Sequence, residues 1–130
     1  MYSLGDDVGK LILRLMLGIL MLFHGVPKLI GGIDPIRGML AGAGLPEALA
    51  WGVYVGEVLA PVMLIIGFYA RWGAVLIVLN MLFAIFLAHS HEIFALTERG
   101  AWAIELQGFF LFTALALVFT GPGGLSINRR

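Results

Sequence analysis

Of 130 residues, 61% are hydrophobic and 12% charged, against about 45–50% apolar and about 25% charged in a soluble domain. A chain this short buries only about 60–70% of its surface, so much of that apolar surface faces lipid, and eight Lys and Arg balanced by eight Asp and Glu leave no basic footprint for nucleic acid. The absence of cysteine excludes disulfides, thiolate metal sites and dithiol chemistry carried by this chain itself.

Four apolar segments follow, each near the ~20 residues that cross ~30 Å of hydrocarbon. The first runs over 8–29. It ends in "HGVPK", not in a small-residue cleavage site, and Asp6 and Asp7 precede it, so it reads as a retained span and not a secretory leader. The Gly, Pro and Asp punctuation of "GGIDPIRGMLAGAGLPEA" predicts a loop, with a short surface helix from Pro35 to Leu40. The second segment covers 48–68 and the third 72–89, and the short "YAR" link makes them an antiparallel hairpin. "SHEIFALTERG" leads to the fourth, over 101–120, after which "GPGGLSINRR" breaks the helix and leaves as a polar tail. Trp51, Trp72 and Trp102 fall near segment ends, where amphipathic rings favour the membrane interface. The expected fold is a single all-α domain over 1–130, a bundle of four transmembrane helices.

With four spans, both termini and the "YAR" turn share one side. That side carries Lys10, Arg14, Arg71, Arg129 and Arg130, and the other carries Lys28, Arg37 and Arg99. The positive-inside bias therefore predicts a multi-pass protein of the inner (plasma) membrane with both termini in the cytoplasm. His24, Lys28, His89 and His91 then gather at the outer end.

Polar groups inside a span cost roughly 2.5–3.5 kcal/mol for a central charge and face the bundle interior or a wet cavity. Arg14, Glu57, Asn80, Glu105 and Gln107 are such groups. Glu57 lies about 13 Å into the second span at 1.5 Å per residue, where a carboxyl is either protonated or paired with a cation. Arg14 differs from it in height by about 7 Å, a gap an arginine side chain can cover. The two form either a structural ion pair that sets helix register or part of a proton or ligand site. Glu105 enters the fourth span near the height of His24. His24 and Lys28 share a helix face only if Pro27 does not end the helix; Lys28 then either snorkels to headgroups or, with His24, forms the polar lip of an inter-helical pocket whose deeper wall is Glu57. His89 and His91 alternate and do not repeat at helical spacing, so no metal ion is expected. Asn80 and Gln107 read as interhelical hydrogen-bond formers. Gly18, Gly52, Gly56 and Gly67 read as points of close helix approach, and Pro61 as a kink in the second span.

The run "LILRLMLGILMLFHGVPKLIGG", then "YVGEVLAPVMLIIGFYARWGAVLIVLNML", then "ELQGFFLFTALALVFTGPGGLSI" resembles the DoxX family of small four-helix membrane proteins. The resemblance falls on Arg14, Gly18, Gly25, Lys28, Glu57, Gly67, Arg71, Gly73 and Glu105. The family is named for a subunit of an archaeal thiosulfate:quinone oxidoreductase, and relatives are associated with membrane-linked redox or thiol stress systems. Its fold is similar to the membrane part of vitamin K-dependent carboxylase and to a subunit that helps methylamine dehydrogenase mature. The resemblance implies a bundle that takes a quinone-like ligand between its helices.

Two functions follow as expectations. One is a quinone-binding or accessory subunit of a membrane oxidoreductase, in which Glu57, Arg14 and Glu105 bind or protonate a quinone head, His24 and Lys28 contact the ligand, and a membrane or peripheral redox partner supplies electrons. The other is a non-enzymatic membrane scaffold or small-molecule carrier; four helices are too few for an inverted-repeat carrier, so transport would need a homo-oligomer.

Overall fold

The computed structural model describes residues 3–88 and 90–128. His89, expected at the outer face, and Arg129 and Arg130, counted in the charge bias, lie outside the described residues. Helix α1 spans Leu4–Gly31. Ser3 caps it, its Oγ accepting from the Asp6 amide at 3.1 Å, and Asp6 and Asp7 in the first turn suit the positive end of the helix dipole. Pro27 lies inside α1 and does not end it, so His24 and Lys28 do sit one turn apart on one face. Twenty-eight residues reach about 42 Å, longer than the hydrocarbon, so α1 overruns the bilayer or tilts.

Helix α2 (Asp34–Gly42) starts with Pro35 at its first turn. It packs Leu40 with Ile33 and Ala50 into a small cluster that leans on Tyr54, Phe83 and Leu87. The second span, α3 (Glu47–Ile66), changes pitch along its length. It begins tight, over Glu47–Trp51, and widens over Val55–Leu59, where the Ala60 amide donates five residues back to the Val55 carbonyl. Pro61 follows at once. It has no N–H to return to the carbonyl of Glu57 four residues earlier, so the widened turn and the proline fall together. Gly67 (φ +73°) stops α3 in the left-handed region.

Helix α4 (Ala70–Ala88) returns antiparallel. Helix α5 spans Glu105–Thr120, four residues later than the expected start. The missing turn is used by a small hairpin: the Thr97 amide donates to Ala101 O at 2.6 Å, the Ala103 amide to Ala95 O at 3.0 Å, and Gly100 takes φ +81° at its tip. At 16 residues, α5 is about 24 Å long. Leu17, Met21, Leu64, Ile77, Met81, Phe110 and Leu117 form the main core between α1, α3, α4 and α5. Large apolar side chains such as Phe23, Phe86 and Phe119 stay exposed as the lipid-facing surface of a helical membrane bundle.

The end of the chain is a correction to the expected polar tail. Residues 121–128 fold back over the bundle: the Gly124 amide donates to Asp7 Oδ1 at 2.7 Å, and Asn128 receives the Tyr69 amide on Oδ1 at 2.8 Å and donates its own amide to Gly67 O at 3.2 Å. Gly121 (φ +73°) and Gly123 (φ +80°) make that reversal accessible.

Candidate functional site

Glu57 sits on the widened turn of α3, 5% exposed. Its Oε1 accepts from Lys28 Nζ in an ion pair with α1. Its Oε2 accepts from Asn80 Nδ2 of α4 at 3.2 Å. Three helices thus meet at one carboxylate. Lys28 itself is 30% exposed, so one end of the pair is buried and the other reaches outward. The Tyr54 hydroxyl donates to Lys28 O at 3.0 Å and ties the backbone of α1 to the same face of α3.

Two glycines make this convergence possible. A Cβ on Gly25 would overlap the Glu57 carbonyl oxygen and stand 2.7 Å from its carbon, so α1 rests directly on the backbone of the widened turn. A Cβ on Gly56 would stand 2.5 Å from Asn80 Cγ, so Asn80 reaches Glu57 only past a bare backbone. Gly18 is a similar contact, with Pro61 O at 2.9 Å from a Cβ there, but Gly52 has open space around it and is not the close approach expected of it.

Beside the ion pair is a cavity of about 140 Å³. His24, Lys28, Glu57 and Gln107 supply its polar wall, and Met21, Met81 and Phe110 are among its apolar residues. Drug-sized ligands occupy roughly 300–1,000 Å³, so this volume suits one small ring or a few waters. His24 stands at the exposed edge, its ring edge-on to Phe110 at 5.4 Å. Its Nδ1 lies 3.0 Å from Leu20 O. A carbonyl only accepts, so Nδ1 carries the hydrogen, and Nε2 is the nitrogen able to take a proton.

Two expected members are elsewhere. Arg14 is 1% exposed but does not meet Glu57: its Nε donates to Leu64 O at 3.0 Å, and one terminal nitrogen donates to Pro122 O at 2.8 Å and Leu125 O at 2.9 Å. Its partners are the last turn of α3 and the folded-back tail, so it holds structure there and not the carboxylate. Glu105 is exposed and lines a different groove, with Trp102 and Phe109. Gln107, two residues on, faces the Glu57 cavity instead. The sequence joins His24 and Lys28 to Glu57 as lip and deeper wall of one pocket, and these three residues line one cavity, but it does not indicate the direct Lys28–Glu57 pair. Tyr54, one turn before Glu57, is the signal for that seam which sequence reasoning missed.

An ion pair with a buried carboxylate and a partly exposed ammonium, inside a bundle of apolar helices, defines a multi-pass membrane protein with a polar inter-helical site. A family model described as DoxX matches residues 9–90, well over half of the chain, and the protein belongs to the DoxX family. That match includes Arg14, His24, Lys28, Glu57 and Asn80 and stops before α5. The chain is 29% identical over 127 residues to "Inner membrane protein YphA" of Escherichia coli, covering 92% of this chain and 88% of that protein. It is 25% identical over 122 residues to a Haemophilus influenzae protein described as uncharacterized, covering 91% and 87%. No solved structure matches.

Proposed function

We propose that this protein is a quinone-binding or accessory subunit of a membrane oxidoreductase system, and that the Lys28–Glu57 cavity takes the carbonyl-bearing ring. The observation that carries this reading is the buried carboxylate of Glu57, paired with the partly exposed ammonium of Lys28, at the wall of a small, mostly apolar cavity. Lys28 has three N–H donors and gives one to Glu57, so the others are free to reach a ring carbonyl. Reducing a quinone to a quinol takes two electrons and two protons. A partner protein supplies the electrons, and without cysteine this chain runs no dithiol chemistry of its own. His24 and the Lys28–Glu57 pair relay the protons. Gln107 offers a further polar contact, and the ring's hydrocarbon tail leaves past His24 into lipid.

Lipid extracts of gently purified protein test this reading. Quinone is expected at a substantial fraction of one per chain, falling at least about tenfold in Glu57→Gln, where the carboxylate that holds Lys28 in place is neutral. Quinone-free protein that remains folded would favour the scaffold or carrier instead, a reading supported by Arg14, whose bonds are all to backbone.

On this reading the protein lies in the inner membrane, in line with the name of the Escherichia coli relative, with both termini in the cytoplasm. Reporter fusions at Asp34, after α1, and at Arg71, at the start of α4, are expected to read opposite sides of the membrane, with Arg71 cytoplasmic. Readings from the same side would remove a span.

A further inference from the structure

Glu105 belongs to no part of the Glu57 site. It opens α5, is exposed, and has no ion-pair partner among the described residues. It stands at one end of a groove of about 620 Å³ along α5 and α1, whose floor includes Leu13, Phe109, Phe112, Thr113 and Ala116. From Glu105 to Ala116 the helix rises about 16 Å. One leaflet of a ~30 Å hydrocarbon core is about 15 Å thick. The groove therefore has the length of one acyl chain, and its charge is at the headgroup end.

That end is also fixed. Trp102 lines it beside Glu105, and its indole Nε1 donates to Ile93 O at 2.5 Å. The ring lies against Gly108, where a Cβ would stand 3.0 Å from its Cη2. An indole pinned on both counts next to a carboxylate presents an electron-rich ring and a negative charge to one small cation.

We propose that this groove seats one phospholipid with a primary-ammonium headgroup, of the phosphatidylethanolamine type, in the leaflet on the Glu105 side. The ammonium donates to the Glu105 carboxylate beside Trp102, and one acyl chain lies along Phe109, Phe112 and Leu13. A choline headgroup can meet the indole but has no N–H to donate to Glu105, and an anionic glycerol headgroup is repelled by the carboxylate, so the hydrogen bond to Glu105 sets the preference for a primary ammonium.

The test uses the full chain in nanodiscs of equal phosphatidylethanolamine, phosphatidylcholine and phosphatidylglycerol, released for native mass spectrometry. Wild type is expected to keep a single phosphatidylethanolamine about five- to tenfold above its share of the bulk lipid. Glu105→Gln should bring that ratio to the bulk value, Glu105→Asp should keep part of the excess, and Glu47→Gln, at another exposed carboxylate, should leave it unchanged. Adducts that follow bulk composition in wild type, or an excess that survives Glu105→Gln, would overturn the assignment. So would a dimer that carries no lipid, since a second copy would then fill the groove.

Discussion

Gly25→Ala is expected to unseat the ion pair. The new methyl group would overlap the Glu57 carbonyl oxygen, with the carbonyl carbon at 2.7 Å and Val58 Cγ2 at 2.9 Å. The first two are backbone atoms, which no rotamer change can move aside. Either α1 or the widened turn must shift, and Lys28, one turn further along α1, moves with it. Overpacking of a tight core costs about 1–3 kcal/mol, and this contact belongs at the upper end because rigid helices meet there. Thermal unfolding in detergent should show a clear drop for Gly25→Ala and almost none for Gly52→Ala, where a Cβ meets nothing within 4 Å. Quinone retention should fall with the first and not with the second. Equal stability of the two variants would mean that α1 does not rest on Glu57.

Gly25 enters the sequence reading only through the family resemblance and not among the glycines expected at close helix approaches, and why it was missed as the seat of Glu57 follows from how depth is counted in a sequence. Apolar runs located the four main helices, three of them long enough to cross a membrane and the fourth shorter, because hydrophobicity is a one-dimensional property, and a lone carboxyl inside such a run is costly wherever its partner lies. Relative height is different. Counting from span ends assumes straight helices with regular pitch, whereas α1 continues through Pro27 to Gly31 and α3 changes from tight to wide turns before Pro61. Those departures bring Lys28 to the level of Glu57, although the count placed it at the interface. Asn80 was legible as an interhelical hydrogen-bond former, but its partner depended on Gly56 leaving the path open.

The same widened turn connects local sequence to the chemistry of the site. Wide turns within α-helices occur frequently at functional positions, and here the cause is local: Pro61 cannot donate to the carbonyl of Glu57. That carbonyl faces Gly25, while the carboxylate faces Lys28 and Asn80. Backbone and side chain of one residue thus serve two neighbours, which is why Glu57 organises both packing and polarity at this level of the bundle.

Arg14→Leu is expected to release the folded-back tail. Arginine paired with glutamate was the natural sequence reading, because ionisable partners are visible in a sequence and backbone carbonyls are not. The structure gives Arg14 three carbonyls instead, from Leu64, Pro122 and Leu125. Leu64 is in the last turn of α3, where its carbonyl accepts only a long bond from the Gly67 amide, at 3.3 Å, and has a lone pair left for Arg14; the other two belong to the segment that Gly121 and Gly123 turn back. Hydrogen bonds to a charged group contribute about 1.5–3 kcal/mol each. They share one side chain and do not add, so a loss of roughly 3 kcal/mol is expected. Lysine should not restore it, because a single ammonium lacks the planar fork that reaches both α3 and the tail. Limited proteolysis from the C-terminus, read beside thermal unfolding, separates the outcomes: Arg14→Leu and Arg14→Lys should both expose residues 121–128 to cleavage while the spans stay protected. A tail that remains protected in both variants would show that the Asp7 and Asn128 contacts hold it alone.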